Sequence, residues 1–218
     1  EIGLLAATAA AAIGLLATLW FDSLAIATIA LLGGYVAPIF APGFPFTEPS
    51  DSPLVLAVHL TVCLVVGFVP SLLRHARFHH LRMAAVILQT IFGAAWLFGP
   101  ADMEPTITLL FVSVWWSMAM GESMIAAMRG HSRRENQVVV ITATVPAASV
   151  VALIVGEITP WASPLAYTPL LMAALSFVGS LTLPKVEVAC CDSDEERSIA
   201  IASRGLAVTL RLLSVLLL

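Results

Sequence analysis

Apolar residues along this chain fall neither in strict alternation nor in the three-to-four spacing of a helix with one wet face. They come in runs of roughly 20 residues, the length a helix needs to cross the hydrocarbon of a bilayer, and short polar stretches separate the runs. The runs predict spans at about 2–20, 24–40, 54–73, 82–99, 106–128, 137–156 and 161–183, with an eighth beginning after Arg197. Strands of a membrane β-barrel would alternate over about 10 residues, and no segment does so. The expected architecture is therefore all-α, a polytopic transmembrane helix bundle of about seven to eight spans, some of them broken by Pro or Gly. Asp22-Ser23 reads as an N-cap signal between the first two spans. Pro53, Pro105 and Pro164 stand at or near helix starts, where a missing N–H matters little.

Composition agrees. Hydrophobic residues make up 60% of the 218 positions and charged residues 11%, against about 45–50% and 25% in soluble domains. Mean hydropathy is +0.99. Glu1 leads directly into an apolar run without a basic segment before it, unlike a signal peptide. The final run, "RLLSVLLL", is cut short, so the whole, 1–218, reads as a single transmembrane helical region from a longer protein. Cys63 lies within a span, and Cys190 and Cys191 lie in a polar loop; this spacing gives neither a disulfide framework nor a zinc site.

The charges assign a direction. Arg74, Arg77 and Arg82 fall between spans three and four, Arg129, Arg133 and Arg134 between five and six, and Lys185 and Arg197 between seven and eight. The alternate loops carry Glu48, Asp51, Asp102, Glu104 and Glu157 without Lys or Arg. The positive-inside rule makes the basic loops 74–82, 129–136 and 184–197 cytoplasmic. Their arginines are then placed for anionic headgroups. His75 and His79 share a helix face in "RHARFHHLR", but no acidic or Cys ligand accompanies them, so no metal is expected.

Few residues inside the spans could carry chemistry. Glu122, in "MAMGESMIAAM", lies about 10 Å from Arg129 along a helix, at a depth where a carboxyl is costly and marks a functional candidate. His59 and Gln89 complete the candidate intramembrane polar site, with interhelical hydrogen bonding as the plainer role for both. Met120, Met124 and Met128, like Trp115 and Trp116, read as packing. Gly3, Ala7 and Ala11 form a small-residue face that admits a close helix neighbour. No P-loop, GxSxG, HExxH or dinucleotide fingerprint occurs, and no cofactor or nucleic acid is expected.

Some spans are interrupted. A proline inside a helix lacks its own donor and crowds the carbonyl four residues back. Pro38 in "LLGGYVAPIF" thereby frees the carbonyl of Gly34, Pro146 frees that of Thr142, and Pro70 that of Val66. A carbonyl freed at membrane depth must find protein, water or a cation, and Gly33 and Gly34 leave room for any of them. Broken helices of this kind mark substrate sites in some transporters.

The motif Leu32-Gly33-Gly34-Tyr35 with Pro38, followed by a polar loop, a span, a basic Arg/His patch and another span, resembles the bacterial predicted membrane proteins of domain-of-unknown-function family 2339. The resemblance covers about residues 24–98. It implies a long multi-span chain in a bacterial inner membrane, and it carries no activity with it. The leading functional expectation is a transporter-like or channel-like protein working through Glu122, His59 and the broken helices. The alternative is a structural or assembly protein of the cell envelope, in contact with the bilayer and with other helices of a longer chain or an oligomer. An enzyme acting on a lipid-linked substrate ranks last, because the outer loops hold carboxylates without His or Arg.

Overall fold

The computed structural model describes residues 2–40, 53–97, 105–131, 133–157, 168–183 and 194–216, and all regular structure among them is helical. The helices are α1 (Ile2–Phe21), α2 (Leu24–Val36), α3 (Pro53–Leu73), α4 (His75–Leu97), α5 (Pro105–Met128), α6 (Arg133–Glu157), α7 (Thr168–Thr182) and α8 (Asp194–Leu216), with a 3-10 turn at Ala37–Phe40 after α2. Four segments are long and apolar enough to cross a membrane: Gly3–Phe21, Leu54–Leu73, Thr106–Met128 and Arg133–Ile154. Large apolar side chains face outward along the helices; Ile13 is 65% exposed, Leu16 67% and Ile29 71%. Such a surface is an aggregation hazard in water and an ordinary one against lipid. This is an integral membrane protein with an all-helical fold.

Helix boundaries follow local chemistry. Ser23 caps α2, its hydroxyl accepting from the Ile26 N–H at 3.4 Å. Pro53 opens α3 and Pro105 opens α5, as the missing proline N–H allows; Pro164 lies outside the described residues. Three helices begin before the apolar runs do. α4 starts at His75, α6 at Arg133 and α8 at Asp194, so residues 75–82, 133–136 and 194–197 of the basic patches expected as loops are helical. The reason is that "RHARFHHLR" contains no Gly or Pro, and its Phe78 and Leu81, three apart, are both buried. Hydropathy locates the hydrocarbon crossing, and the helix runs on past it.

The chain packs as two compact units, residues 1–115 and 116–218. In the first, α3 packs on α4 and α1, and α2 lies against α1, α3 and α4. Small residues set the close crossings. A Cβ on Gly14 would stand 2.5 Å from Ala30 Cβ, and one on Gly67 would overlap Ala85 Cβ. In the second unit, α8 packs along α7 and α6. The hydroxyl of Thr144 on α6 accepts from Trp116 Nε1 at 3.1 Å.

The turn between α1 and α2 carries an ion-pair triad. Asp22 adopts the left-handed region at φ 50°, which Asp tolerates better than most residues. Its carboxylate meets Arg74 at 2.6 Å and Arg77 at 3.0 Å. The hydrogen bond from Arg74, with the charges of Arg74 and Arg77 behind it, holds this carboxyl below its ordinary 3.8. A depressed folded value means that the stabilisation is complete above 3.8 and is lost as pH falls through the folded value. Unfolding midpoints in detergent should therefore fall as pH is taken from about 5 to about 2, and Asp22→Asn should remove part of that slope. An unchanged slope in the variant would show that the triad is irrelevant to stability. Both partners are well exposed, so the effect should shrink at high salt.

Candidate functional site

Pro38 has no N–H to donate. In an unbroken helix that N–H would serve the Gly34 carbonyl; the preceding Ala37 N–H makes the ordinary helical bond to Gly33 O. The Gly34 carbonyl is taken up by α3, where His59 Nε2 lies 2.8 Å from it. The other ring nitrogen, Nδ1, lies 2.9 Å from Thr8 Oγ1 on α1. One fully buried imidazole thus joins three helices. Gly34 permits this contact: a Cβ there would stand 2.8 Å from Cys63 Sγ and 3.6 Å from Ala11 Cβ. Gly33 has no such neighbour, a Cβ on it meeting nothing within 4 Å. Of the two glycines, only Gly34 is required by close approach.

His59 Nε2–H donates to the Gly34 carbonyl, so in a neutral ring Nδ1 accepts from the Thr8 hydroxyl. That hydroxyl also lies 2.8 Å from Leu4 O, and its single proton serves one acceptor at a time. If both ring nitrogens carry protons, Nδ1–H donates to Thr8 Oγ1 while the Thr8 hydroxyl serves Leu4 O. The same heavy-atom geometry then accommodates either protonation state, the neutral ring leaving one of the three bonds unmade. Cys63 Sγ, 3.6 Å from His59 Nε2, closes the cluster on its own helix.

A second polar contact adjoins the first through α2. Tyr35 is buried, and its hydroxyl donates to Gln89 Oε1 on α4 at 2.7 Å, with Ala85 O at 3.5 Å. Phe92 lies against the Tyr35 ring, centroids 5.5 Å apart. Gln89 Nε2 is buried without a partner among the described residues. The consecutive residues Gly34 and Tyr35 thus tie α2 to α1, α3 and α4.

The remaining candidates lie elsewhere. Glu122 and Ser123 are buried on α5 in the second unit. Pro146 sits inside α6 with Thr142 one turn before it, also in that unit. Arg74 and Arg77 are exposed and engage Asp22, whereas Arg82, grouped with them by sequence, is buried on α4. Arg129, Arg133 and Arg134 are exposed at the turn between α5 and α6. Lys185, Cys190, Cys191 and the acidic residues Glu48, Asp51, Asp102 and Glu104 lie outside the described residues. No group of three His, Cys, Asp or Glu side chains among the described residues could hold a metal ion.

Sequence reasoning missed Thr8, Tyr35 and Cys63 as members of the cluster. A signal existed for Thr8, which adjoins the small-residue face of α1 three residues before Ala11. Ala11 is indeed buried, close to Gly34. No protein-family model, no curated protein sequence and no solved structure matches this chain.

Proposed function

We propose that this chain is a multi-pass membrane protein of seven to eight spans whose buried polar residues lock helices together, serving as a structural or assembly component of a cell envelope. The observation that carries this reading is the His59–Gly34 contact. The carbonyl freed by the broken helix is the group an ion path would use, and a side chain from the neighbouring helix occupies it. The resemblance to family 2339, through Leu32, Gly33, Gly34, Tyr35 and Pro38, brings the bacterial inner membrane into the same proposal, and the positive-inside rule brings the cytoplasmic basic loops. A second reading, a transporter-like protein, is favoured by Glu122, a carboxyl buried within a membrane-length helix.

Cys63 tests the packing reading. Its side chain is fully buried beside His59. In a Cys190→Ser/Cys191→Ser background, reconstituted in liposomes, a small charged methanethiosulfonate should leave Cys63 unmodified until the protein is unfolded. Rapid modification of the folded protein would mean that water reaches the cluster, and the packing role would be wrong.

A further inference from the structure

The second unit carries a different kind of opening. A pocket of about 310 Å³ lies between the α5–α6 turn and the first turns of α8, lined by Gly130, His131, Arg133, Asp194, Arg197 and Ser198. Its geometry follows from how α8 is clamped. Gly130 takes φ 74°, a left-handed conformation that suits glycine. Its carbonyl accepts from the Ser198 hydroxyl at 2.7 Å, pinning the start of α8 to the turn. One turn on, Ser203 Oγ lies 3.5 Å from Ala127 O. Gln137 Nε2 then donates to Gly205 O at 3.3 Å and to Thr209 Oγ1 at 3.0 Å. Arg133 lies across Gly205, where a Cβ would overlap its Cγ, Cδ and Nε.

These contacts fix the register of α8 and, with it, the depth of the pocket. Gly205 stands level with Arg133 and Gln137, and Arg211 stands beside Ser180 near the end of α7. The first turn of α6, Arg133 to Asn136, is polar, so the helix leaves the hydrocarbon there. Residues 194–204 of α8 therefore lie level with or beyond the polar first turn of α6, and the pocket lies with them.

We infer that this pocket binds the phosphate of an anionic phospholipid, an assignment that rests on the membrane-spanning reading of the fold. Arg133 and Arg197 come from different helices, and guanidinium groups match phosphate oxygens in paired hydrogen bonds. Both arginines lie in first turns, where backbone N–H groups lack helical acceptors and the helix dipole favours an anion. Asp194 offsets one of the two arginine charges. Among the pocket-lining residues this leaves one arginine charge without a carboxylate to offset it. Ile201 and Ala202 supply an apolar wall, which fits the glycerol and acyl side of a lipid. Basic pockets between helices at a membrane face bind lipid headgroups in this manner.

The test uses the whole chain in nanodiscs of phosphatidylcholine with or without phosphatidylglycerol, and counts retained lipid by native mass spectrometry. Phosphatidylglycerol should be retained in preference to phosphatidylcholine. Arg197→Gln should weaken retention about tenfold, and so should Gly205→Leu, which displaces Arg133. Equal retention of both lipids, or unchanged retention in both variants, overturns the inference. So does a site occupied by inorganic phosphate while phosphatidylglycerol shows no preference. Failure of the membrane reading would appear separately, as a chain that does not enter nanodiscs at all.

Discussion

His59→Ala should destabilise the folded protein by about 2–4 kcal/mol. The substitution removes a fully buried ring and strips two polar groups, Gly34 O and Thr8 Oγ1, of their interhelical partner. An orphaned polar group costs about 1–3 kcal/mol in a water-soluble core. Interhelical bonds in membranes average nearer 0.6 kcal/mol, so the cavity left by the ring contributes the larger share. The expected fall in unfolding midpoint is roughly 5–15 °C, scaling from 2–4 °C per kcal/mol for a chain of this size. Thermal unfolding in detergent, followed by the exposure of Cys63, measures it directly. His59→Gln should lose less, since its amide can still donate to the Gly34 carbonyl. A change below about 0.5 kcal/mol for alanine, within the range of ordinary surface substitutions, would show that the cluster does not hold the three helices together.

Gly67→Ala should do comparable damage for the opposite reason. Alanine is the better helix former by about 1 kcal/mol, so an open site would gain stability. Here the added Cβ would overlap Ala85 Cβ and stand 3.2 Å from Leu81 O. Neither neighbour is the free end of a flexible side chain, so α3 and α4 must separate along their shared face. Overpacking costs typically 1–3 kcal/mol, and loss of close contact elsewhere along the crossing should bring the net to about 2–4 kcal/mol. The cause can be isolated by moving the methyl group. Ala85→Gly alone should cost about 1 kcal/mol, and Gly67→Ala with Ala85→Gly should return close to the parent. A double-mutant cycle should therefore show a coupling of about 2 kcal/mol or more. Additive losses would mean that the crossing accommodates the methyl group and that the steric account is wrong.

Much of the fold was legible because lipid imposes one-dimensional rules. Runs of apolar length located the helices, and Ser23, Pro53 and Pro105 marked starts that the structure keeps. The Pro38 break was legible too, since a proline without an N–H has the same consequence in any helix. What closes the break was not, because the donor, His59, lies 25 residues away in sequence and nothing local ties the two positions. Thr8 was hidden for a related reason: a threonine in an apolar helix can satisfy itself by bonding its own chain, as Thr18 and Thr28 do. The helical nature of the Arg/His stretch after α3 was obscured by reading polarity as loop. Arg82 shows the limit of counting charges, since a residue grouped by sequence with the exposed arginines is buried here rather than displayed.

The bond between His59 and Gly34 also bears on the order in which the chain is made. Synthesis runs from the N-terminus, so α2 leaves the ribosome before α3. During that interval the Gly34 carbonyl has neither its helical donor nor its imidazole. A 13-residue α2 with an orphan carbonyl is a poor candidate to settle in lipid on its own. Arrival of α3 supplies the missing donor and the packing surface together. The second helix is thus completed by the third.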